Sequence, residues 1–251
     1  ANILHFKSAR DRDSALQSGK LDGMVCDYLA IVFANEGGYD LRFISKSDGN
    51  IKLLAGKDSG IDSVDGLKGK KIGMSLNTVM EYTADKMLEV SQVSPDDTEK
   101  IAIPQLPTRL EMLENGKIDA AILPDPLAGL AVKNGAQILA STDELANKCI
   151  AIAFSEKSIE KNTAEIKAVF RAYNNAVEYL QSADPTQYID YVIEKQGFPA
   201  ETKDSIILPE YKKAELPEEN IFIDVINWLK DKNLIKENYE YKDLVNDAIL
   251  R

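Results

Sequence analysis

The sequence has few of the residues that most often carry catalysis or bind metals. Its 251 residues include one histidine and two cysteines. A single histidine cannot complete a set of nucleophile, base and orienting group. No Ser–His–Asp pattern, metal-ligand spacing or glycine-rich phosphate loop is present either. Cys26 and Cys149 lie in hydrophobic runs, and we interpret them as buried free thiols. The sequence therefore predicts a protein that is not an enzyme and uses no metal or cofactor.

The sequence also lacks an excess of positive charge and long apolar runs. The formal net charge is −11, and a chain without a basic face is poorly suited to phosphate contacts, which argues against nucleic acid as a partner. The longest apolar stretches have the length of a strand, whereas a membrane-spanning helix needs about 20 residues. No signal peptide is visible at Ala1, which indicates a cytoplasmic protein or a sequence whose leader has been removed. A hydrophobic content of 44% is enough for the core of one large domain or of two small lobes.

Two stretches of the chain resemble each other without a gap. Residues 12–25 read RDSALQSGKLDGMV, and residues 109–122 read RLEMLENGKIDAAI. Each predicts a short helix that ends at a glycine in the left-handed conformation and is followed by a strand. The upstream residues 3–6 and 100–103 align as well, and both are strand-like. Each copy is therefore predicted to be strand–helix–strand, the unit of a parallel sheet, although two ordinary units can also match by chance.

The second copy is preceded by a further predicted unit. Residues 67–74 form a basic turn that enters a strand, and residues 75–78 supply N-cap chemistry for a helix over 79–90. Nothing corresponds to this unit ahead of the first copy. Two lobes of similar construction are therefore predicted. The first lobe either departs from the symmetry or lacks an opening strand and helix upstream, and we favour the second interpretation.

The remainder of the chain is predicted to be mainly helical, from the spacing of its apolar residues and from its proline and glycine boundaries. The predicted helices cover residues 160–181, 184–195, about 222–229 and 244–250.

Several phrases together resemble a known family. They are residues 60–73, 75–78, 116–122 and 124–126, followed by Gly135. Their order and spacing resemble the type II periplasmic-binding-protein fold, and within it the NMT1/THI5-like group, which includes nitrate, sulfonate, taurine and thiamine-pyrimidine receptors. The resemblance implies an α/β protein of two similar lobes with mostly parallel sheets joined by crossing strands. It also implies a ligand clamped by hinge closure of the lobes, an upstream leader and an opening β–α unit.

The resemblance further implies a domain organisation and a place in the cell. Residues 1–69 with 155–251 form lobe one and its C-terminal helices, and residues 70–154 form lobe two. The implied protein is a monomeric extracytoplasmic receptor that passes a small organic solute to an ABC permease complex. It would lie in the periplasm, or at the outer face of the cell membrane as a lipoprotein whose anchor is not in this sequence.

Candidate ligand contacts in lobe two follow from a general rule. Ligands of open parallel sheets bind beyond the carboxyl ends of the strands, near helix N-termini. The hydroxyl, amide and N–H groups of Ser75, Asn77 and Thr78 would converge on a negative or electron-rich group. The alternative is that Ser75 or Thr78 only caps its own helix. Gln105 and the pair Pro124 and Asp125 follow the other two strands of this lobe.

Candidate contacts in lobe one occupy corresponding places. His5 and Ser8 end the first predicted strand, and Asp27 and Tyr28 follow the second. Asp27 would accept hydrogen bonds from an amine or amidine and repel a bare anion, or it would cap the next helix. Tyr28 would stack on a planar ligand or simply line the lobe.

The nature of the ligand stays open between two classes. Asp27, and the lack of an Arg/Lys pair at strand ends, favour a neutral or amine-bearing heterocycle such as a thiamine-precursor pyrimidine. A sulfonate- or nitrate-type anion would still suit a neutral site of donors. Arg12 and Arg109 are equivalent in the repeat, which favours a shared structural role such as pairing with a carboxylate.

Two other classes of protein compete with the receptor. The first is a cytoplasmic enzyme on the same fold, related to pyrimidine synthases or to a menaquinone-pathway lyase. The fungal pyrimidine synthases have a cysteine-rich motif and a histidine cluster that this sequence lacks. The second is the effector-sensing domain of a transcription regulator, but no helix-turn-helix precedes the sensor here.

Overall fold

Residues 1–6, 8–145, 148–206 and 208–251 are described by a computed structural model, apart from the side chains of residues 204 and 205. The chain divides into two compact units. Unit 1 comprises Ala1–Asp48, Lys148–Asp184 and Glu210–Arg251, and unit 2 comprises Gly49–Asn147 and Pro185–Pro209. Each unit is an α/β structure with its own sheet.

The described strands and helices are as follows. The strands are β1 (Gly23–Asp27), β2 (Leu41–Ser47), β3 (Ile51–Ala55), β4 (Lys71–Met74), β5 (Glu99–Ala102), β6 (Ala120–Pro124), β7 (Gln137–Ser141) and β8 (Ile150–Ser155). The helices are α1 (Ala9–Gln17), α2 (Tyr28–Glu36), α3 (Val79–Val90), α4 (Leu106–Glu114), α5 (Leu127–Lys133), α6 (Glu156–Lys161), α7 (Thr163–Ser182), α8 (Ile189–Gln196), α9 (Glu219–Asp231) and α10 (Tyr241–Leu244). Short 3-10 helices cover Val64–Leu67, Pro95–Asp97, Pro185–Gln187 and Ala200–Ser205.

The bounds of the units differ from those predicted for the lobes, 1–69 with 155–251 and 70–154. Strand β3 pairs with β6 on one side and β7 on the other, so the segment that follows residue 48 joins unit 2. Strand β8 pairs with β1 and β2, which places it in unit 1. These pairings join residues far apart in sequence, and the local patterns used for the prediction contain no information about them.

Unit 1 contains a three-stranded sheet in the order β1-β8-β2, and both of its pairings are antiparallel. This differs from the parallel pairing predicted for the first copy of the repeat. The core beside the sheet contains edge-on aromatic contacts, with ring centroids 4.8 Å apart for Tyr28 and Phe43 and 6.0 Å apart for Phe43 and Phe222. Both cysteines are free and buried, as predicted.

The predicted strand over residues 3–6 does not form. Ile3 is 73% exposed and Leu4 is 50% exposed. A strand is stable only when its backbone N–H and C=O groups find partners. No strand among the described residues pairs with this segment. The prediction was wrong here because an apolar pattern says nothing about the presence of a neighbouring strand.

Unit 2 contains a five-stranded sheet in the order β5-β4-β6-β3-β7. Strand β4 is parallel to β5 and to β6, whereas β3 is antiparallel to both of its neighbours. The strand–helix–strand unit predicted for the second copy is thus confirmed, as β5, α4 and β6. The predicted helix over 79–90 is α3, with the same bounds.

The helix ends of the repeat agree in detail. Gly19 has a φ of 71° and Gly116 has a φ of 63°, both in the left-handed region that favours glycine. The next residue donates its N–H back into the helix in each copy, from Lys20 to the Ala15 carbonyl at 3.0 Å and from Lys117 to the Met112 carbonyl at 2.9 Å. The repeat therefore predicted the geometry of both helix ends correctly, although the sheets differ.

Three of the four helices predicted for the remainder of the chain lie near α7, α8 and α9. The fourth, over 244–250, does not form, because α10 ends at Leu244, and α6 was not predicted. None of the helices in the described residues has the length and apolar character to cross a membrane.

Candidate functional site

Three helices of unit 2 begin where three parallel strands end. Because β4, β5 and β6 run in the same direction, their carboxyl ends lie at one edge of the sheet. Helices α3, α4 and α5 follow these strands in turn. The first turn of a helix has N–H groups without intrahelical acceptors and carries a partial positive charge. We call this edge the strand-end site; it comprises residues 75–78, 103–105 and 124–126.

One buried arginine joins the three strand ends. Arg109 of α4 is 0% exposed. Its Nε and Nη2 donate to the Ile103 carbonyl at 2.9 and 2.7 Å, and its Nη1 donates to the Ile122 carbonyl at 2.6 Å. Its Nη2 also donates to the hydroxyl of Ser75 at 2.5 Å. These acceptors lie just beyond β5, within β6 and just beyond β4, so a single guanidinium group fixes the relative positions of the three ends.

The charge of Arg109 has no acidic partner among the described residues, since each acceptor of its hydrogen bonds is neutral. Burial lowers the pKa of Arg109 to about 10, and no carboxylate counteracts that effect. The group is still protonated at neutral pH. The prediction that Arg109 pairs with a carboxylate was therefore wrong. The sequence also gave it no part in the site, because Ser75 is too distant along the chain for the contact to be inferred.

A glycine in β4 provides the space for this arginine. A Cβ atom at Gly73 would lie 2.5 Å from Cδ1 of Ile118 and 3.3 Å from Cγ of Arg109. The first distance is shorter than real Cβ contacts, so any larger residue would displace its neighbours. Sequence reasoning missed this role, because a glycine in a strand indicates a close approach without showing what approaches.

The turn between β4 and α3 presents polar groups at the strand-end site. Thr78 is the N-cap of α3: its hydroxyl accepts from the Met80 N–H at 3.2 Å and donates to the Ser75 carbonyl at 2.8 Å. Asn77 is exposed and has a φ of 56°, which is rare for a residue other than glycine. Its N–H donates to Oε2 of Glu81 at 2.7 Å. The capping alternative thus holds for Thr78, whereas Ser75 is held by Arg109.

A buried ion cluster lies behind this turn. Nζ of Lys100 is 3.0 Å from Oε1 of Glu81 and 2.5 Å from Oδ1 of Asp85. The side chains of these two acids are 6% and 3% exposed. Glu81 therefore binds Lys100 through one oxygen and the turn through the other.

The other predicted residues of unit 2 lie at the ends of β5 and β6. Asp125 forms an ion pair with Lys52 at 2.9 Å and accepts the Gly129 N–H at 3.1 Å. Its carboxylate therefore already accepts a hydrogen bond from the first turn of α5. Pro124 ends β6. Gln105 is the exposed N-cap residue of α4, and its side chain forms no capping hydrogen bond. The strand-end site thus brings together the six residues predicted in lobe two.

The predicted residues of unit 1 have structural partners. Asp27 is 4% exposed and caps α2 by accepting the Ala30 N–H at 2.9 Å. Its Oδ2 lies 3.7 Å from Nη2 of Arg12. Burial raises the pKa of Asp27, and the charge of Arg12 opposes that shift. The alternative that Asp27 caps its helix is therefore the one observed, and the argument from Asp27 to an amine ligand loses its basis.

The other three residues of unit 1 also lack the predicted arrangement. Tyr28 is 0% exposed and packs edge-on against Phe43, so it cannot stack on a ligand in this conformation. Ser8 is buried and caps α1 by accepting the Asp11 N–H at 3.2 Å. His5 is exposed and lies outside any strand. No group of three or more potential metal ligands occurs in the described part of the chain.

The fold defines the class of protein to which the chain is similar. Its structure has a TM-score of 0.84 and 18% identity to the alkanesulfonate-binding protein SsuA from Xanthomonas axonopodis pv. citri bound to MOPS, covering 98% of this chain and 87% of that one. For the periplasmic aliphatic sulphonate binding protein SsuA from Escherichia coli the TM-score is 0.80 at 18% identity, with 96% and 84% covered. The α/β fold is thus that of periplasmic binding proteins, as predicted.

The chain belongs to the NMT1/THI5-like family, whose model matches residues 3–187. This confirms the family resemblance inferred from the sequence. A protein of Bacillus subtilis (strain 168) that bears the name of an aliphatic sulfonates-binding protein is 25% identical over 180 residues. The match covers 69% of this chain, and the chain spans 54% of the length of that relative.

An enzyme shares the fold as well. The desulfurization enzyme DSZB has a TM-score of 0.67 at 12% identity, with 92% of this chain and 84% of that one covered. Similarity of fold at this level of identity does not carry an activity with it.

Proposed function

We propose that this protein is the solute-binding component of an ABC importer and that it binds an organic sulfonate. The sulfonate group would be held at the strand-end site of unit 2. The hydroxyl of Ser75, the amide of Asn77 and the first turn of α3 would donate hydrogen bonds to its oxygens. The anion is preferred here over the thiamine-precursor pyrimidine that Asp27 had favoured.

The observation that carries this proposal is the unpaired charge of Arg109. Two other cations of this sheet already have acidic partners: Lys52 binds Asp125, and Lys100 binds Glu81 and Asp85. Arg109 instead donates to neutral oxygens only. A positive charge in a poorly hydrated place attracts an anion more strongly than a charge in water, because less solvent screens it. A sulfonate at Ser75 would supply the missing negative charge.

Arg109 also orients the hydroxyl that would contact the ligand. Since the Ser75 oxygen accepts from Nη2 of Arg109, its proton must point elsewhere. The hydroxyl donates to the Pro104 carbonyl at 3.5 Å, which is long for an O–H···O hydrogen bond. A sulfonate oxygen at normal distance would be a better acceptor. The helix N-terminus would add to the attraction, as is general for anions at such places.

The names of the relatives support the ligand class and the biological role. Both structural relatives are named as sulfonate-binding proteins, and one of them as periplasmic. We therefore propose an extracytoplasmic location and a permease partner for this chain. Because the chain spans about half the length of its Bacillus subtilis relative, these roles are proposals for the whole protein.

The proposal is tested by thermal denaturation and titration calorimetry with four probes. These are ethanesulfonate, its neutral analogue ethyl methyl sulfone, nitrate, and 4-amino-5-hydroxymethyl-2-methylpyrimidine. A ligand that binds only the folded state raises the melting temperature according to RT ln(1 + [L]/Kd). We expect a rise with ethanesulfonate and none with the sulfone. Binding of the pyrimidine without binding of ethanesulfonate would overturn the proposal.

The same samples also test for catalysis, because DSZB shares the fold. Each sulfonate that binds is incubated with the protein, and release of sulfite is measured. A receptor returns the ligand unchanged. Catalytic release of sulfite would show that the protein is an enzyme and not a receptor.

A further inference from the structure

The ion cluster behind α3 has a direct connection to the turn that would hold the sulfonate. Lys100 lies in β5, next to β4 in the sheet, and reaches Glu81 in the first turn of α3. Oε1 of Glu81 contacts Nζ of Lys100 at 3.0 Å, while Oε2 accepts the Asn77 N–H at 2.7 Å. Two contacts thus link the partly buried cation of Lys100 to the backbone of Asn77.

Glu81 occupies a place that matters for an anion site. A carboxylate in the first turn of a helix is itself favoured by the free N–H groups and by the helix dipole. Unless something holds it aside, Glu81 would compete with a bound sulfonate for these groups and would repel it. The contact with Lys100 both offsets its charge and draws one oxygen towards β5.

The backbone of Asn77 depends on the same carboxylate. Its φ of 56° places it in the left-handed region, which side chains other than glycine rarely adopt. The hydrogen bond from its N–H to Glu81 favours this conformation. A change in the shape of this turn would move the exposed amide of Asn77, which contacts the sulfonate under the proposed function.

We propose that Lys100 is a positioning residue for anion binding, which holds Glu81 against the Asn77 N–H and leaves the first turn of α3 open to the sulfonate. This inference rests on the proposed function of the strand-end site. Lys100 does not touch the ligand. It acts through Glu81, and its removal changes both the charge and the shape of the turn.

The central experiment compares Lys100→Met with Lys100→Arg. Methionine keeps a long apolar side chain without the charge, and arginine keeps the charge. Affinity for ethanesulfonate is measured by calorimetry, and the melting temperature without ligand is measured in parallel. We expect Lys100→Met to bind at least tenfold more weakly and Lys100→Arg to stay within threefold of the wild type. Lys86→Met is the matched control, because Lys86 pairs with Glu89 further along α3, at 3.4 Å.

A double variant separates positioning from general stability. If Lys100 acts through Glu81, then Lys100 should contribute little to the affinity once Glu81 is replaced by glutamine. We expect Lys100→Met to weaken binding by threefold or less when it is introduced into Glu81→Gln. A loss as large as in the wild-type background would overturn the inference, and so would wild-type affinity in Lys100→Met alone.

A ligand-free measurement keeps the inference separate from the proposed function. Hydrogen exchange of the Asn77 amide, followed by NMR, should become at least tenfold faster in Lys100→Met than in the wild type. An unchanged rate contradicts the positioning role whether or not a sulfonate binds. Failure of the wild type to bind ethanesulfonate, with faster exchange in the variant, overturns the proposed function alone. If Lys100→Met does not fold, the exchange rate of the Asn77 amide is compared between Asp85→Asn and the double variant with Lys100→Met. The Asp85→Asn background has one buried carboxylate fewer that the loss of Lys100 would leave unpaired.

Discussion

The two arginines of the repeat occupy the same position and have different electrostatic surroundings. Nη1 of each donates to the carbonyl thirteen residues later, from Arg12 to Val25 at 3.5 Å and from Arg109 to Ile122 at 2.6 Å. Arg12 also pairs with Asp13 at 2.8 Å and with Asp27 at 3.7 Å. Arg109 has no such partner in the described residues.

The difference between the two arginines follows from two positions in the sequence. The repeat aligns Asp13 with Leu110 and Asp27 with Pro124. Unit 1 therefore pairs its arginine with acidic residues of its own copy. Unit 2 keeps the hydrogen bond from the arginine to the strand carbonyl, but its copy has no carboxylate at these positions. A shared structural contact is thus compatible with the proposed functional role of Arg109, and the carboxylates present only in the first copy distinguish the two arginines.

The largest effect is expected from replacing Arg109 by methionine. The change leaves the Ile103 and Ile122 carbonyls without their charged donor, and each such loss costs about 1–3 kcal/mol. Binding of ethanesulfonate should become undetectable. Urea unfolding and calorimetry measure the two effects. Arg12→Met is the matched control. It should leave the affinity unchanged, and a loss of affinity there would contradict the assignment of the site to unit 2.

The next effect is expected at Gly73, which tests whether the arginine must lie where it does. In Gly73→Ala the new methyl group pushes on Ile118 and on the stem of Arg109. Overpacking of this kind costs about 1–3 kcal/mol, and ethanesulfonate should bind at least tenfold more weakly. Gly56→Ala serves as the control, because a Cβ there meets nothing closer than 3.4 Å. Equal affinities in the two variants would contradict the prediction that binding depends on the space beside Arg109 that Gly73 leaves.

The comparison also shows how much the sequence could predict. The glycine-capped helix ends around Gly19 and Gly116 were predictable, because they depend on a few neighbouring residues. The parallel strands that bracket α4 were predictable for the same reason. The role of Arg109 was not, because its contact with Ser75 spans 34 positions along the chain.

Sequence reasoning failed in unit 1 for a related reason. Asp27 and Tyr28 follow a strand as a ligand contact would, but antiparallel pairing of β1 with β8 and packing against Phe43 bury them. The position of a residue at a strand end is visible in the sequence, whereas its exposure depends on elements more than 100 residues away, such as β8.

The smallest effect is expected at Asp27, and it separates the paired charge of unit 1 from the unpaired charge of unit 2. Burial raises the pKa of Asp27 above its value in the unfolded chain. The folded state therefore holds more protons between the two pKa values, so the free energy of unfolding falls as pH rises through that window and levels off above the folded pKa. Asp27→Asn removes this ionisation, and its stability should depend less on pH between about 4 and the folded pKa. Urea unfolding at a series of pH values measures the difference. Affinity for ethanesulfonate should stay within about twofold of the wild type, because the change affects only the cap of α2 and the pair with Arg12, both in unit 1. A large gain or loss of affinity would mean that Asp27 takes part in binding and that the two units are not as different as their arginines indicate.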